Sequence, residues 1–413
     1  MKNTYIKWIG FIPNEWGVRK VKHCFYISKD PANTKNPTVL SLARSGIKVR
    51  DISTNEGQLA ASYENYNVVK PGDLLLNPMD LYSGANCNMS EVEGVISPAY
   101  VNLRKKIELN VKYFDYYFKT QYWSMAMFAH GKGVSFDNRW TINSDSILNY
   151  WLPFPSKNVQ DSIVCSLNEK CGDIDRLVDI ETKQIETLKE YKKRIIKEVV
   201  SHGLNNSSFK KCLIEWVDKI PSHWNCMPNK YVMKKTKSIC EKYNGENVIS
   251  LSMNGVIVRD LLAGGKMPTS FDGYQFVYPG NLLMCLFDYD VTPRCIGLIR
   301  NYGVTSPAYS QFELNKNSDP TYYYYYYLMI DHTKELLHLA RNLRHSFTED
   351  ELGRIYVPVP PLSEQIYIGK YLDEKCKEID DLIDLKLQKI EKLNDYKKSV
   401  IFEYITGKKE VVS

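Results

Sequence analysis

Seven histidines, ten cysteines and a handful of glycine-rich turns are the residues of this 413-residue chain best suited to chemistry. The histidines (23, 130, 202, 223, 332, 338, 345) include no HExxH pair, and His332 and His338 are six apart, off one helix face. The cysteines (24, 87, 165, 171, 212, 226, 240, 285, 295, 376) include no CxxC, so neither a zinc ribbon nor a dithiol redox site is spelled out. Gly264-Gly265-Lys266-Met267 lacks the spacing and the hydroxyl of a phosphate loop. Ala129-His130-Gly131-Lys132-Gly133 holds a GxG, but it follows a helical stretch rather than a buried strand, so a basic loop is expected. Asn77-Pro78-Met79-Asp80 falls short of an amino-methyltransferase tetrad by the second proline and the aromatic, and reads as a strand-end turn. No GxSxG occurs. With no catalytic constellation, a non-catalytic binding protein is expected, with no metal and no cofactor of its own.

Binding chemistry is better represented. Reading base edges needs Arg, Lys, Asn or Gln on exposed elements, and holding phosphates needs cations. Arg44, Lys48 and Arg50 lie along one turn and strand, where alternation places Lys48 and Arg50 on one face. His130, Lys132, Asn138 and Arg139 lie on a glycine-bearing loop. Asn254, Arg259, Arg341, Arg344 and His345 occupy matching stretches later in the chain. These twelve are the candidate DNA-binding residues. Net charge is only +6, but its distribution is uneven. Residues 1–158 carry +6 and 205–360 carry +2, while 159–204 and 361–413 carry −1 each.

These stretches match because the chain is one unit written twice. Trp8-Ile9-Gly10-Phe11-Ile12-Pro13-Asn14-Glu15-Trp16 returns as Trp216-Val217-Asp218-Lys219-Ile220-Pro221-Ser222-His223-Trp224. Pro71-Gly72-Asp73-Leu74-Leu75 returns as Pro279-Gly280-Asn281-Leu282-Leu283, and Gly94 to Tyr100 returns as Gly303 to Tyr309. The order is kept, and a period of about 205 residues is far too long for a solenoid.

Each copy opens with short apolar runs broken by Gly, Pro and Asn, which read as strands and turns, and contains a Tyr-rich stretch that reads as helix. That helix is expected to turn aromatic rings inward and hydroxyls outward, with Trp123 to Phe128 continuing the first one. Each copy closes with a long proline-free amphipathic segment. Ile174, Val178, Ile185, Leu188 and Ile195 recur at a 3.5-residue spacing, with Glu181 and Lys192 at the skipped places. Ile379, Ile383, Ile390, Leu393 and Val400 do the same, with Lys386 and Lys397 skipped. That is a coiled-coil seam, ended by Gly203 and Gly407. The fold class expected is α+β. Two mixed globes (1–158 and 205–360) are each followed by a long helix (159–204 and 361–413). The helices pair antiparallel with a pseudo-two-fold axis, an arrangement that suits reading two inverted half-sites on duplex DNA. It suits equally a coiled-coil scaffold that binds only protein.

The same residues resemble the specificity subunit of type I restriction-modification systems over essentially the whole chain. The markers are the opening Trp216 to Trp224, the run Ile355-Tyr356-Val357-Pro358-Val359-Pro360-Pro361-Leu362-Ser363-Glu364-Gln365, and the helix continuing to Tyr404-Ile405-Thr406-Gly407. Ser363 is expected to cap that helix. The first copy departs from the run but keeps Pro155 and Gln160. The resemblance implies target recognition domains that read a split, asymmetric sequence of double-stranded DNA, and helices that dock two methyltransferase subunits. S-adenosylmethionine, ATP and Mg would then belong to partner subunits, restriction subunits among them, and the chain would take part in DNA methylation and phage defence. No apolar run approaches the ~20 residues of a membrane span. Met1 to Tyr5 lead into no signal core. A cytoplasmic protein with reduced thiols is expected.

Overall fold

The computed structural model describes residues 1–34, 36–43, 46–52, 60, 62–79, 81, 87–133, 140–205, 208–262, 268–340 and 345–410. The chain divides into two compact units. The first is Met1–Glu181 with Gln388–Ser413, the second Thr182–Leu387. The divisions fall inside the two long helices, Lys157–His202 and Leu362–Ile405, so each unit takes one globe and a stretch of both helices.

In the first unit a four-stranded antiparallel sheet runs in the order Phe25–Ile27, Val101–Lys105, Leu74–Leu76, Cys87–Met89. A separate hairpin pairs Leu40–Ala43 with Gly46–Val49. In the second unit the same order recurs as Met233–Thr236, Ser310–Leu314, Leu282–Met284, Ile296–Leu298. Its hairpin pairs Ile249–Ser252 with Gly255–Val258.

A helix of aromatic residues lies in each core. Val111–Trp123 is started by Asn110, whose side chain accepts from the N–H groups of Lys112 and Tyr113. Pro320–Thr333 is started by Asp319, with Pro320 in the first turn, where its missing N–H costs nothing. The first helix stops at Trp123 and does not run on to Phe128; Met125 takes a left-handed φ of 60° there. The tyrosine hydroxyls do not face water as the sequence suggested. Tyr322 donates to the Val200 carbonyl (2.9 Å), Tyr323 to that of Pro358 (3.0 Å) and Tyr325 to Asp373 (2.9 Å). Trp216 donates to the Tyr326 hydroxyl (3.1 Å). The helix is packed on several sides at once, so these buried hydroxyls find internal partners, while that of Tyr327, also buried, has none among the described residues.

The long helices begin by one device used twice. Gln160 donates to the Pro155 carbonyl (2.9 Å) and accepts from the Asn110 N–H (2.9 Å). Gln365 donates to the Pro360 and Asn317 carbonyls and accepts from the Asp319 N–H (2.8 Å). Each glutamine thus ties the start of a long helix to the start of the aromatic helix. Ser363 is not the cap. The helix starts at Leu362, directly after the proline pair, and the Pro361 carbonyl accepts from Glu364 and Gln365, leaving Ser363 within the first turn. Gly203 and Gly407 end the long helices at φ of 72° and 68°, the left-handed conformation glycine tolerates best.

Among the seam residues, Ile174, Ile185, Ile195, Ile379, Ile383 and Val400 are buried, and Val178, Leu188, Ile390 and Leu393 half-buried. The charged residues at the skipped places all reach toward the other long helix. In the first unit Lys397 meets Asp175 (2.7 Å) and Lys389 meets the buried Glu181 (2.5 Å). In the second, Lys386 meets Gln184, and Lys192 meets Asp380 (2.6 Å). No helix among the described residues is long and apolar enough to cross a membrane.

Candidate nucleic-acid interface

Each hairpin is an amphipathic ribbon. In the first, Leu40 and Leu42 bury against Val69, Leu75 and Ile96. In the second, Ile249 lies with Val277, Leu283 and Ile299, and Leu251 and Val256 pack against them. Gly297 lets this hairpin approach closely, since a Cβ there would meet Val256 at 2.4 Å. Alternation turns Lys48 of the first hairpin and Ile257 of the second to the opposite, solvent face, and Val49 and Val258 beside them, opposite Leu40 and Ile249, are exposed as well. The turn residues Met253 and Asn254 are also exposed, Met253 at 74%.

The ribbons end alike. Arg50 follows the first, half-buried, its N–H donating to the Val39 carbonyl (2.8 Å). Arg259 follows the second, half-buried, its N–H donating to the Val248 carbonyl (2.8 Å). The two differ at Lys48 and Ile257, which hold the same place in their hairpins, one cationic and one apolar. A two-stranded ribbon is narrow enough to enter a DNA major groove. There an ammonium suits guanine or phosphate, and a branched alkyl group suits the thymine methyl.

The ring of His130 is packed edge-on against Trp8 (4.7 Å) and Tyr150 (5.4 Å), which ties it to the aromatic cluster. Lys132 is exposed and bridges through its backbone to Thr141. His345 takes a left-handed φ of 41° and pairs with Asp290 (2.8 Å). Arg44, Asn138, Arg139, Arg341 and Arg344 lie outside the described residues. The structure thus brings Lys48 and Arg50 onto one hairpin and Asn254 and Arg259 onto the other, and holds His130 and His345 elsewhere. Sequence reasoning passed over the exposed apolar residues Val49, Ile257 and Val258, because apolar residues within a strand read as core. Among the described residues, no three of His, Cys, Asp and Glu gather as a metal ion would need.

A family model described as the type I restriction modification DNA specificity domain matches residues 296–395. The chain carries a type I restriction-modification specificity domain. The specificity-subunit resemblance drawn from Trp216 to Trp224 and from Pro360 to Gln365 is borne out. The match runs from the strand Ile296–Leu298 through the aromatic helix and into the last long helix. A curated relative, the type I restriction enzyme MjaVIII specificity subunit of Methanocaldococcus jannaschii, is 25% identical over 364 residues, spanning 83% of this chain and 80% of the relative. A solved structure described as the basis of complex assembly and conformational transition of the type I R-M system superposes with a TM-score of 0.69. That likeness covers 96% of this chain and 98% of the other. At 13% identity it is a likeness of fold.

Proposed function

We propose that this chain is the non-catalytic subunit that gives a type I restriction-modification complex its DNA sequence specificity. Its two globes read the two parts of a bipartite, asymmetric duplex target. The observation that carries this reading is the pair of hairpins, alike in register and burial and unlike in the residues they expose, in a chain with a specificity domain. A ribbon that exposes Lys48 and one that exposes Ile257 would not read the same bases, so the half-sites differ.

The long helices pair antiparallel as a spacer with pseudo-two-fold symmetry and carry the docking sites for two methyltransferase subunits. Support for the pairing comes from the ion pairs, because within each unit a rising number on one helix meets a falling number on the other. Support for two docking sites comes from the faces turned away from the seam. Leu177, Ile180 and Tyr191 recur at the same spacing as Leu382, Leu385 and Tyr396, and all six are more than two-fifths exposed. Large apolar residues in matched exposed positions suit a repeated protein contact. S-adenosylmethionine, ATP and Mg act in the partner subunits, restriction subunits included, and the complex works in the cytoplasm.

The test is single-molecule sequencing of methylated bases in host DNA with the gene intact and deleted. Loss of a two-part adenine-methylation motif on deletion is the expected result. An unchanged methylome, with methyltransferase still co-purifying, would instead favour a coiled-coil scaffold that binds only protein.

A further inference from the structure

The exposed hairpins are tied at their turns to the aromatic helices, and the two units make this tie with different chemistry. In the second unit, Nη1 of Arg294 donates to the carbonyl of Met253 at the hairpin turn (3.0 Å). Its Nη2 donates to the Tyr324 hydroxyl (2.5 Å), and its Nε to the Ile296 carbonyl (3.1 Å). The guanidinium lies flat along Gly255, where an added Cβ would meet it at 3.4 Å. In the first unit, Asn88 donates to the carbonyl of Ala43, the last described residue before the turn (3.5 Å). Lys119 holds the Asn88 side-chain oxygen (2.9 Å) and is anchored on the fully buried Asp115 (3.0 Å).

Asp115 and Tyr324 hold the same place in their helices. Each stands two residues after a tyrosine, Tyr113 or Tyr322, whose hydroxyl donates to the end of a long helix, at Ile405 or Val200. Each stands one residue before a tyrosine, Tyr116 or Tyr325, bonded to the body of a long helix, at Asn168 or Asp373. The same link from long helix to aromatic helix to hairpin turn is therefore built twice, once from Asp-Lys-Asn and once from Tyr-Arg.

We propose that Arg294 in one unit, and Lys119 with Asn88 in the other, are positioning residues that fix the hairpin, at Met253 or at Ala43, at a set place on its unit, so that its exposed residues, Asn254 among them, meet bases in register. This rests on the reading of the hairpins as the DNA-reading elements. Arg294 suits the role because its rigid planar fork holds its acceptors in fixed directions, whereas an ammonium on a flexible stem fixes geometry less. A base-reading side chain loses its discrimination when its backbone drifts, since each good base contact depends on geometry.

The test uses the full-length chain in complex with methyltransferase subunits, binding a randomised duplex library over a range of salt concentrations. The variants are Arg294→Met, Arg294→Lys, Tyr324→Phe and Asn254→Ala. The expected result is that Arg294→Met and Arg294→Lys both relax base preference, about tenfold, at the positions that Asn254→Ala relaxes. The other half-site and the dependence of affinity on salt stay unchanged. Tyr324→Phe, which removes one hydroxyl, shifts the same positions less and serves if the arginine variants fold poorly. If Arg294→Lys behaves as wild type while Arg294→Met weakens all sequences alike and lowers the salt slope by about one, Arg294 is a phosphate contact and the proposal is overturned. If Asn254→Ala relaxes a half-site and no Arg294 or Tyr324 variant does, the tether is wrong and the hairpin reading stands. If Asn254→Ala also changes nothing, the hairpin reading fails and the proposal with it.

Discussion

Lys48 and Ile257 show how one residue could separate two half-sites. Lys48→Ala is expected to relax or weaken recognition at one part of the target only, and to lower the salt slope of DNA binding by about one if the ammonium meets phosphate. Titrating the complex with duplexes altered in one half-site at a time measures both. Gly407 is a residue whose role is conformational. It sits at φ 68°, and a Cβ there would meet Pro13 at 2.4 Å and crowd Trp16. Gly407→Ala is expected to cost about 1–3 kcal/mol, from the left-handed backbone and the lost space together. Thermal unfolding of the full chain measures that loss. Gly203 stands against Glu364 and Trp224 in the second unit, and the same change there is expected to act alike. The sequence showed these two glycines as helix ends. It did not show that each is also pressed against the opening tryptophan segment of a globe.

At the scale of elements, two glutamines and one ion pair set how the long helices are held. Gln365 is fully buried and satisfies two carbonyls and one N–H. Gln365→Leu is expected to cost about 1–3 kcal/mol for each buried backbone group left without water or partner. Chemical denaturation is the measurement, with Gln160→Leu as the matched change in the first unit. Lys389 reaches the buried Glu181, so Lys389→Met leaves that carboxylate without its ammonium. A loss of about 1–3 kcal/mol is expected, and Glu181→Leu made together with it should recover most of that loss. The seam period was legible because apolar residues at 3.5-residue spacing have few other uses. The tyrosine run was legible as helix, but not as a helix whose hydroxyls are bonded internally. A hydroxyl reads as exposed until the carbonyls of other elements are brought to it.

At the scale of the whole molecule, the two matched faces predict stoichiometry. Leu177→Asp and Leu382→Asp are each expected to reduce bound methyltransferase from two copies to one, and the double variant to abolish binding. Native mass spectrometry of the co-expressed complex reads this directly. Circular dichroism should remain that of the parent chain, because both residues are exposed. A result in which neither change alters the count would place docking elsewhere.

The duplication, the helix seams, the proline–glutamine entry and the resemblance to the specificity subunits were all readable from the order of residues. These features rest on local periodicity, on proline and glycine geometry, and on recurrence along the chain, none of which needs a partner distant in sequence. The candidate interface was legible only in part. Lys48, Arg50, Asn254 and Arg259 stood out as cations and amides, and folding placed them on two hairpins. His130 carried the same apparent promise, yet folding packed its ring against Trp8 and Tyr150. Arg294, Lys119 and Asn88 had no motif at all. Their role exists only because strands and helices far apart in sequence meet, and a hydrogen bond acts over about 3 Å of space whatever the distance along the chain.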